Sequence, residues 1–326
     1  MNIAIIGAGA MGSLLGWYLC ESAEVWLLDP WQAHIDAINT SGLQRERDGV
    51  ATARHPHATT DPAEIGPCDV VLVLVKAHQT AWAAQQALNL GRTKNQELRT
   101  EQSAITGSRF SAPGSSPLVV TLQNGLGNRE ILAATLGEAG VTQGVTALGA
   151  TLLGAGHVRH AGQGATVFGP MPDGSTARLA ELFTVCGLPA EVSDDLDALV
   201  WGKLIVNAGI NALTALLRVP NGALAEIPEA RILAEQAARE AVMVAQARGA
   251  RLHELDPIAH MLSIAQATGA NRSSMLQDVL RGSPTEIATI NGAVVREGRR
   301  LGVPTPVNDL LTALVQALDA TRDLRF

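Results

Sequence analysis

Apolar residues fall along this chain in two different rhythms. Residues 2–6, Asn-Ile-Ala-Ile-Ile, form a short β-branched run that stops at glycine, the pattern of a strand buried on both faces of a parallel sheet. Residues 11–22 carry helical spacing, and residues 24–28 (Glu-Val-Trp-Leu-Leu) predict a second strand ending at Asp29-Pro30. Residues 70–75 and 118–122 predict two more strands. Strands alternating with helical stretches indicate βαβ units and a doubly wound, mainly parallel sheet. Residues 146–169 are glycine-rich with short β-like pieces, and are expected to close this first domain with antiparallel strands. From about Asp194 the rhythm is helical to the C terminus. The expected organisation is an α/β domain over residues 1–194 and an all-α domain over residues 195–326, each large enough for its own core.

One stretch breaks the pattern. Residues 88–117 are polar and rich in Gly, Ser and Pro, which predicts a long exposed loop. It is longer than the connection between two sheet strands requires. An insertion without a role is the simpler reading, and a lid over a substrate is the other.

Composition narrows the function classes. With 47% apolar and 17% charged residues the chain fits a soluble globular enzyme. The formal net charge of −7, without a dense Lys/Arg cluster, disfavours a nucleic-acid partner. Cys20, Cys68 and Cys186 are odd in number and not at metal-ligand spacing, so reduced thiols in a cytoplasmic protein are expected. The chain opens directly on a strand, and neither a signal peptide nor an apolar run of about 18 residues is read in it, so no membrane is expected as a partner. The eight histidines, among them the pairs His55/His57 and His157/His160, have no matching carboxylates, so no metal site is expected.

The first strand runs into Gly7-Ala8-Gly9-Ala10-Met11-Gly12, which is G-x-G-x-x-G between a strand and a helix. In that context it is a dinucleotide fingerprint and makes the first domain a Rossmann domain. Gly7 permits the tight turn, Gly9 admits the pyrophosphate to the backbone, and Gly12 allows close helix–strand packing. The helix N terminus then faces the phosphates with its partial positive charge. Asp29, 22 residues after Gly7, ends the second strand, where a carboxylate accepts from the adenosine ribose and repels a 2′-phosphate. No Lys or Arg lies between residues 24 and 44, so the local chemistry leans toward NAD(H). Arg45 and Arg47 are the nearest basic side chains that could reach a 2′-phosphate. Lys76 and Asn124 end the next two strands, and ligands of open α/β sheets bind outside the carboxyl ends of strands.

In the helical half, Trp201-Gly-Lys203-Leu-Ile-Val-Asn207-Ala-Gly-Ile-Asn211 spaces Lys203, Asn207 and Asn211 at i, i+4 and i+8, one face of a helix. The residues between them are almost all apolar. An ammonium is costly to keep in apolar surroundings, and such a site lowers its pKa toward a working range. Hydride delivery to a ketone builds negative charge on the oxygen, and a positioned ammonium both stabilises that charge and supplies the proton. Glu286 closes Ser283-Pro-Thr-Glu286, which has the form of a capping box that would occupy the glutamate at a helix start. Ser273 and Ser274 in a helical run are more often packed or bonded to the preceding turn than ligands.

These pieces together resemble the ketopantoate reductase (2-dehydropantoate 2-reductase) family. The resemblance rests on Gly7-Ala-Gly-Ala-Met-Gly12, Lys76-Ala-His-Gln, Gln123-Asn124-Gly-Leu-Gly, the Lys203/Asn207/Asn211 helix, Pro220-Asn221-Gly222, Ser273-Ser274-Met-Leu-Gln-Asp278, Thr285-Glu286-Ile and Ile290-Asn291-Gly292, in order along nearly the whole chain. It implies a Rossmann domain, a helical domain and an active site in the cleft between them. It implies hydride transfer from NAD(P)H to the 2-oxo carbon of a small acid, with Lys203 as the general acid. It further implies that Asn207, Asn211 and Asn221 bond the substrate, that Ser274 contacts its carboxylate, and that Glu286 binds a substrate hydroxyl and stands near the lysine. Lys76 and Asn124 would lie on the nicotinamide side of the cofactor. Two features depart from the family. Asp29 stands where members that use NADPH commonly carry a basic or small residue, and the 88–117 insertion is long. The expected activity is therefore reduction of ketopantoate, with an NAD-linked D-2-hydroxyacid dehydrogenase of the same family as the alternative. A non-catalytic dinucleotide sensor is the rival from another class, although it would not need the lysine–asparagine stripe. The expected partner is a small 2-oxo acid, with a homodimer left open.

Overall fold

The computed structural model describes residues 1–92 and 116–324. The chain divides into two compact units, residues 1–123 with 128–194, and residues 124–127 with 195–326.

The first unit begins β1 (Asn2–Ile6), α1 (Ala10–Leu19), β2 (Glu24–Leu28), α2 (Gln32–Ser41), β3 (Leu43–Arg47), β4 (Val50–Arg54) and β5 (His57–Thr59). It continues with β6 (Val70–Val73), α3 (Thr80–Arg92), β7 (Leu118–Thr121), α4 (Asn128–Leu136), β8 (Val141–Thr146), β9 (Gly149–Gly154), β10 (His157–Gly162), β11 (Thr166–Phe168), α5 (Ser175–Val185) and β12 (Ala190–Val192). The main sheet has the order β12-β11-β8-β7-β6-β1-β2-β5. Its pairs are parallel except β11–β8, so the expected mainly parallel sheet is present. Strand periodicity sorts its side chains onto two faces. Ile3 and Ile5 join Leu14 and Leu15 of α1 and Phe183 of α5, whereas Ala4 and Ile6 join Ala83 and Ala87 of α3 and Leu132 of α4.

A second sheet, β4-β3-β10-β9, accounts for part of the glycine-rich stretch. Here β10 pairs antiparallel with β9 and parallel with β3, while β11 closes onto the main sheet. The Trp17 ring of α1 lies between two guanidinium groups of this sheet, with Arg45 and Arg54 at 3.9 and 3.8 Å from its centroid. Two sequence expectations change. The stretch read as a loop from residue 88 is helical to Arg92, and its residues 93–115 lie outside the described ones. Lys76 does not end a strand: β6 stops at Val73, and Lys76 leads the short turn at Ala77–Gln79.

The second unit comprises α6 (Leu196–Leu217), α7 (Ala223–Glu226), α8 (Pro228–Arg248), α9 (Pro257–Ala267), α10 (Ser274–Arg281), α11 (Asn291–Leu301) and α12 (Pro306–Ala320). The 22-residue α6 is long and apolar enough to cross a membrane by length and composition, which the sequence reading missed. Most of its apolar stretch is buried within the protein, where Trp201, Leu204, Ile205 and Leu213 join Ala234 and Ala238 of α8 and Met261 of α9. The helices are also locked by a buried polar cluster. Glu240 of α8 accepts from the Val307 and Asn308 backbone amides at 2.8 and 2.9 Å and from Asn308 Nδ2 at 2.7 Å. Those amides belong to the first turn of α12, whose donors have no partner within the helix. Asn308 Oδ1 accepts from Asn291 Nδ2, which also donates to the Ala208 carbonyl of α6. Glu240→Ala removes the acceptor of the buried Asn308 amide and of the part-buried Val307 amide, and one of two acceptors of Asn308 Nδ2, and an unsatisfied buried donor costs about 1–3 kcal/mol. The variant should lose at least about 2 kcal/mol of unfolding free energy in urea titration. A loss under about 0.5 kcal/mol, the level of a surface change, would show that the cluster does not hold α12.

Candidate active site

The glycine loop is built as a dinucleotide fingerprint requires. Gly7 has φ +101°, and a Cβ there would meet the Val75 amide nitrogen at 2.6 Å. A Cβ on Gly12 would collide with the Gly7 carbonyl, so α1 lies directly against the loop. Gly9 caps α1, and a Cβ there would meet nothing within 4 Å, so open space lies before the helix N terminus. Ala8 is buried and Ala10 and Met11 are half-buried. This cradle fits a pyrophosphate: backbone donors, a helix dipole and no side chain in the way. Asp29 lies at the end of β2, where one carboxylate oxygen accepts from the Ala8 amide and the other from the Trp31 amide, both at 2.9 Å. A carboxylate has about four lone-pair sites, so two such bonds leave capacity for ribose hydroxyls.

Gln123 fixes the turn that carries Lys76. Its Nε2 donates to the Val75 carbonyl at 2.8 Å and to Thr80 Oγ1 at 2.9 Å, and Lys76 itself is half-buried. Asn124, read from sequence as part of the first domain, groups instead with the helical unit. The reason is Gly125. At φ +84° its Cα lies so close to Thr289 that a Cβ would collide with the Thr289 carbonyl, and that carbonyl accepts from the Leu126 amide at 3.0 Å. The docked segment brings Asn124 Nδ2 to 3.4 Å from Glu286 Oε2, a long contact.

Glu286 is not a helix cap. Residues 283–285 have no regular structure, residues 286–290 form a bend and turn, and α11 begins only at Asn291. The Ser-Pro-Thr-Glu pattern is outcompeted by α12: Asp319 Oδ2 accepts from both the amide (3.1 Å) and the hydroxyl (2.7 Å) of Thr285. Glu286 itself is buried at 6% exposure. Its charge acts on Lys203. Burial pulls the Lys203 ammonium down from its ordinary 10.5 to about 8, and the Glu286 carboxylate opposes that fall.

Lys203, Asn207 and Asn211 project from one face of α6, and Thr214 extends the same face at i+11, a member the sequence reading passed over. Thr214 Oγ1 lies 2.7 Å from Ser273 Oγ, which caps α10 by accepting from the Leu276 amide at 3.1 Å. Ser273 is therefore committed to structure, and its neighbour Ser274 is the half-buried first residue of α10. Asn211 is 4% exposed, and its Nδ2 is a buried donor with no partner among the described residues. Asn221 is its counterpart. Thr268 donates its hydroxyl proton to the Ile264 carbonyl at 2.7 Å, so it accepts from Asn221 Nδ2 at 2.9 Å. That fixes the amide orientation and leaves Asn221 Oδ1 as a buried acceptor with no partner among the described residues. Thr268 was not legible as a partner because it lies on another helix. The helical unit thus holds a depressed lysine and a neighbouring carboxylate, and the orphan donor of Asn211 and orphan acceptor of Asn221 stand beside two others, Trp201 Nε1 and Asn291 Oδ1. Buried polar groups without partners are rare, and a bound substrate is one way to satisfy them. Among the described residues no group of His, Cys, Asp and Glu side chains could hold a metal ion.

Comparison with known proteins gives the family. Residues 3–173 match the family described as ketopantoate reductase PanE/ApbA, and residues 195–319 match its C-terminal part. The chain belongs to the ketopantoate reductase family. A 2-dehydropantoate 2-reductase of Halobacterium salinarum is 35% identical over 97% of this chain and 98% of its own. One from Archaeoglobus fulgidus is 32% identical over 98% of each chain. Among solved structures, a PanE/ApbA family ketopantoate reductase from Ralstonia eutropha superimposes with a TM-score of 0.83 at 33% identity, covering 99% of this chain and all of the other. A D-mandelate dehydrogenase in ternary complex with NADH and anilino(oxo)acetate gives a TM-score of 0.84 at 28% identity, with the same coverage. The family's Rossmann and helical halves are those described above, and the chain is an oxidoreductase of this family.

A lysine that donates a proton must hold it, so turnover should decline as pH rises through about 8. An opposite charge nearby raises a lysine pKa, and its removal lowers it. Glu286→Gln should therefore move the alkaline limb of kcat/KM to lower pH. A limb that stays in place or moves up would show that the carboxylate does not act on Lys203.

Proposed function

We propose that this chain reduces the 2-oxo group of ketopantoate (2-dehydropantoate) to pantoate, with NADH as the preferred cofactor. The observation that carries the reading is the partly dehydrated Lys203 ammonium beside Glu286, on the helix face that also presents Asn207 and Asn211. A reduced nicotinamide supplies a hydride to the 2-oxo carbon. Lys203 stabilises the negative charge developing on the ketone oxygen and gives it a proton, leaving a hydroxyl and a neutral amine. Asn207, Asn211 and Ser274 hold the 2-oxo acid, the Asn211 Nδ2 donor toward an acid or ketone oxygen. Lys76 and Asn124 serve the nicotinamide end of the cofactor.

The orphan acceptor separates the two readings within the family. Asn221 Oδ1 is buried and calls for a donor, and Glu286 is a second buried acceptor. Ketopantoate carries a hydroxyl that meets this need, whereas a 2-oxo acid with only a hydrocarbon side chain leaves the acceptor unmatched, at a cost of about 1–3 kcal/mol. The NAD-linked D-2-hydroxyacid dehydrogenase reading is favoured by the likeness to D-mandelate dehydrogenase with NADH. The test is turnover with ketopantoate and with hydroxyl-free 2-oxo acids. Lys203→Ala should lower kcat for the preferred acid by roughly 10²-fold or more, the share that acid–base groups supply. NADH binding should be retained. Near-normal turnover by this variant would overturn the assignment.

Cofactor choice follows from the end of β2. Asp29 is held there by two backbone amides, so it stays aimed at the ribose end of the glycine loop. The two arginines that follow do not answer it. Arg45 donates to Tyr18 Oη at 2.9 Å and Thr52 Oγ1 at 3.2 Å while stacked on Trp17, and Arg47 lies 3.5 Å from Asp48. A 2′-phosphate would meet a carboxylate without a compensating cation. Like charges at about 4 Å cost about 1 kcal/mol in bulk water and more at lower dielectric. Loss of charged ribose bonds adds about 1.5–3 kcal/mol. A preference for NADH of roughly 10²-fold follows, eroded or reversed in Asp29→Ser and Asp29→Arg. A wild-type kcat/KM that favours NADPH would contradict it.

The three cysteines are free. Burial pushes the Cys20 thiol to about 11 and the Cys68 thiol to about 12, so both stay protonated and unreactive, as suits a reducing cytoplasm.

A further inference from the structure

The side chain of Trp31 sits beside the glycine loop with one face supported and the rest open. Its indole stacks on the His34 imidazole with centroids 5.0 Å apart and planes 8° from parallel. His34 is fully buried, whereas Trp31 is 43% exposed, so the face turned away from the imidazole carries the exposure. A flat ring laid on that open face would remove its apolar area from water.

The supporting ring is itself fixed. The Gly156 amide, in the turn between β9 and β10, donates to His34 Nδ1 at 2.9 Å. The ring proton therefore sits on Nε2, 3.1 Å from Ser13 Oγ, and Ser13 passes its own proton to the Ala8 carbonyl at 2.7 Å. Desolvation pulls the His34 pKa down, against the opposing charge of Asp29, which agrees with a neutral ring in this tautomer. The backbone adds a second tie. Asp29 accepts from the Ala8 amide with one oxygen and from the Trp31 amide with the other. Both the ring stack and the main chain of Trp31 are thus tied to Ala8, the residue between Gly7 and Gly9 of the loop.

We propose that the open face of the Trp31 indole is the stacking platform for the adenine base of the dinucleotide, with His34 and Ser13 as positioning residues that hold platform and glycine loop in one frame. The inference rests on the dinucleotide reading of the loop and deepens it. A ribose hydroxyl-bonded to Asp29 carries its base past the end of β2, where Trp31 is the next side chain but one. Stacking on an aromatic face is tolerant of base edge chemistry, so it would add affinity without a hydrogen-bond code. A platform already clamped loses little freedom on binding.

ADP-ribose, which contains the adenosine half and lacks nicotinamide, is the probe. Calorimetric titration should show Kd for ADP-ribose raised by about tenfold or more in Trp31→Ala, the range of one lost base stack, and by no more than about threefold in Trp31→Phe. Trp31→Phe, which keeps a ring on the His34 imidazole, should keep the wild-type Tm. Wild-type fluorescence should be quenched by ADP-ribose, and the part due to Trp31 should vanish in both variants. The KM for the 2-oxo acid at saturating NADH should not move. Unchanged ADP-ribose affinity in Trp31→Ala would overturn the platform while leaving the dinucleotide reading intact. A wild-type protein that binds neither ADP-ribose nor NADH would overturn both.

Discussion

The cost of dehydrating one ammonium organises the helical half of this molecule. Lys203 lies on α6, whose other faces form the core of the unit. Water would keep its pKa near the ordinary lysine value, and burial lowers it to about 8, the range where an amine can both hold and release a proton. Burial alone would neutralise the group. Glu286 opposes that, and it can do so because Asp319 of α12 fixes the preceding Thr285 by two hydrogen bonds. The lysine's protonation therefore depends on a balance between desolvation and one carboxylate, and the proposed chemistry rests on that balance.

That holding is itself polar. The Glu240, Asn308 and Asn291 cluster ties α8, α12 and α11 together and ends on the Ala208 carbonyl of α6, one residue after Asn207. The Thr214–Ser273 contact fixes the start of α10, and with it Ser274, to the same helix. Within this cluster Asn291 Oδ1 has no partner among the described residues, and elsewhere in the unit the same holds for Trp201 Nε1, Asn211 Nδ2 and Asn221 Oδ1. The last two belong to the asparagines that the family resemblance assigns to substrate. The packing cluster is thus paired apart from Asn291 Oδ1, whereas Asn211 and Asn221 each keep one unpaired amide atom.

Much of this was legible in the sequence because it is local. The β-branched runs, the glycine loop and the i, i+4, i+8 stripe each depend on spacing within one element, and α6 and β1 follow from them directly. What was not legible depends on partners distant in sequence. The strands β3 and β4 have no hydrophobic alternation, and their hairpin joins a larger sheet through β10, more than a hundred residues later. The Ser283–Glu286 pattern has the local form of a helix start, yet Asp319 takes Thr285 and abolishes it. Asn124 follows a strand of the first unit but docks on the second because Gly125 fits against Thr289. Lys76 continues an apolar run, but the Gln123 side chain holds the Val75 carbonyl in a turn.

The central claim is the state of the Lys203 ammonium, and its titration can be observed directly. With the lysine side chains isotopically labelled, and Lys203→Arg to assign the signal, the Lys203 ε-carbon shift should titrate near pH 8 in the wild-type protein. It should titrate lower in Glu286→Gln. A Lys203 signal that titrates with ordinary lysines, near their unperturbed value of about 10.4, would contradict the account.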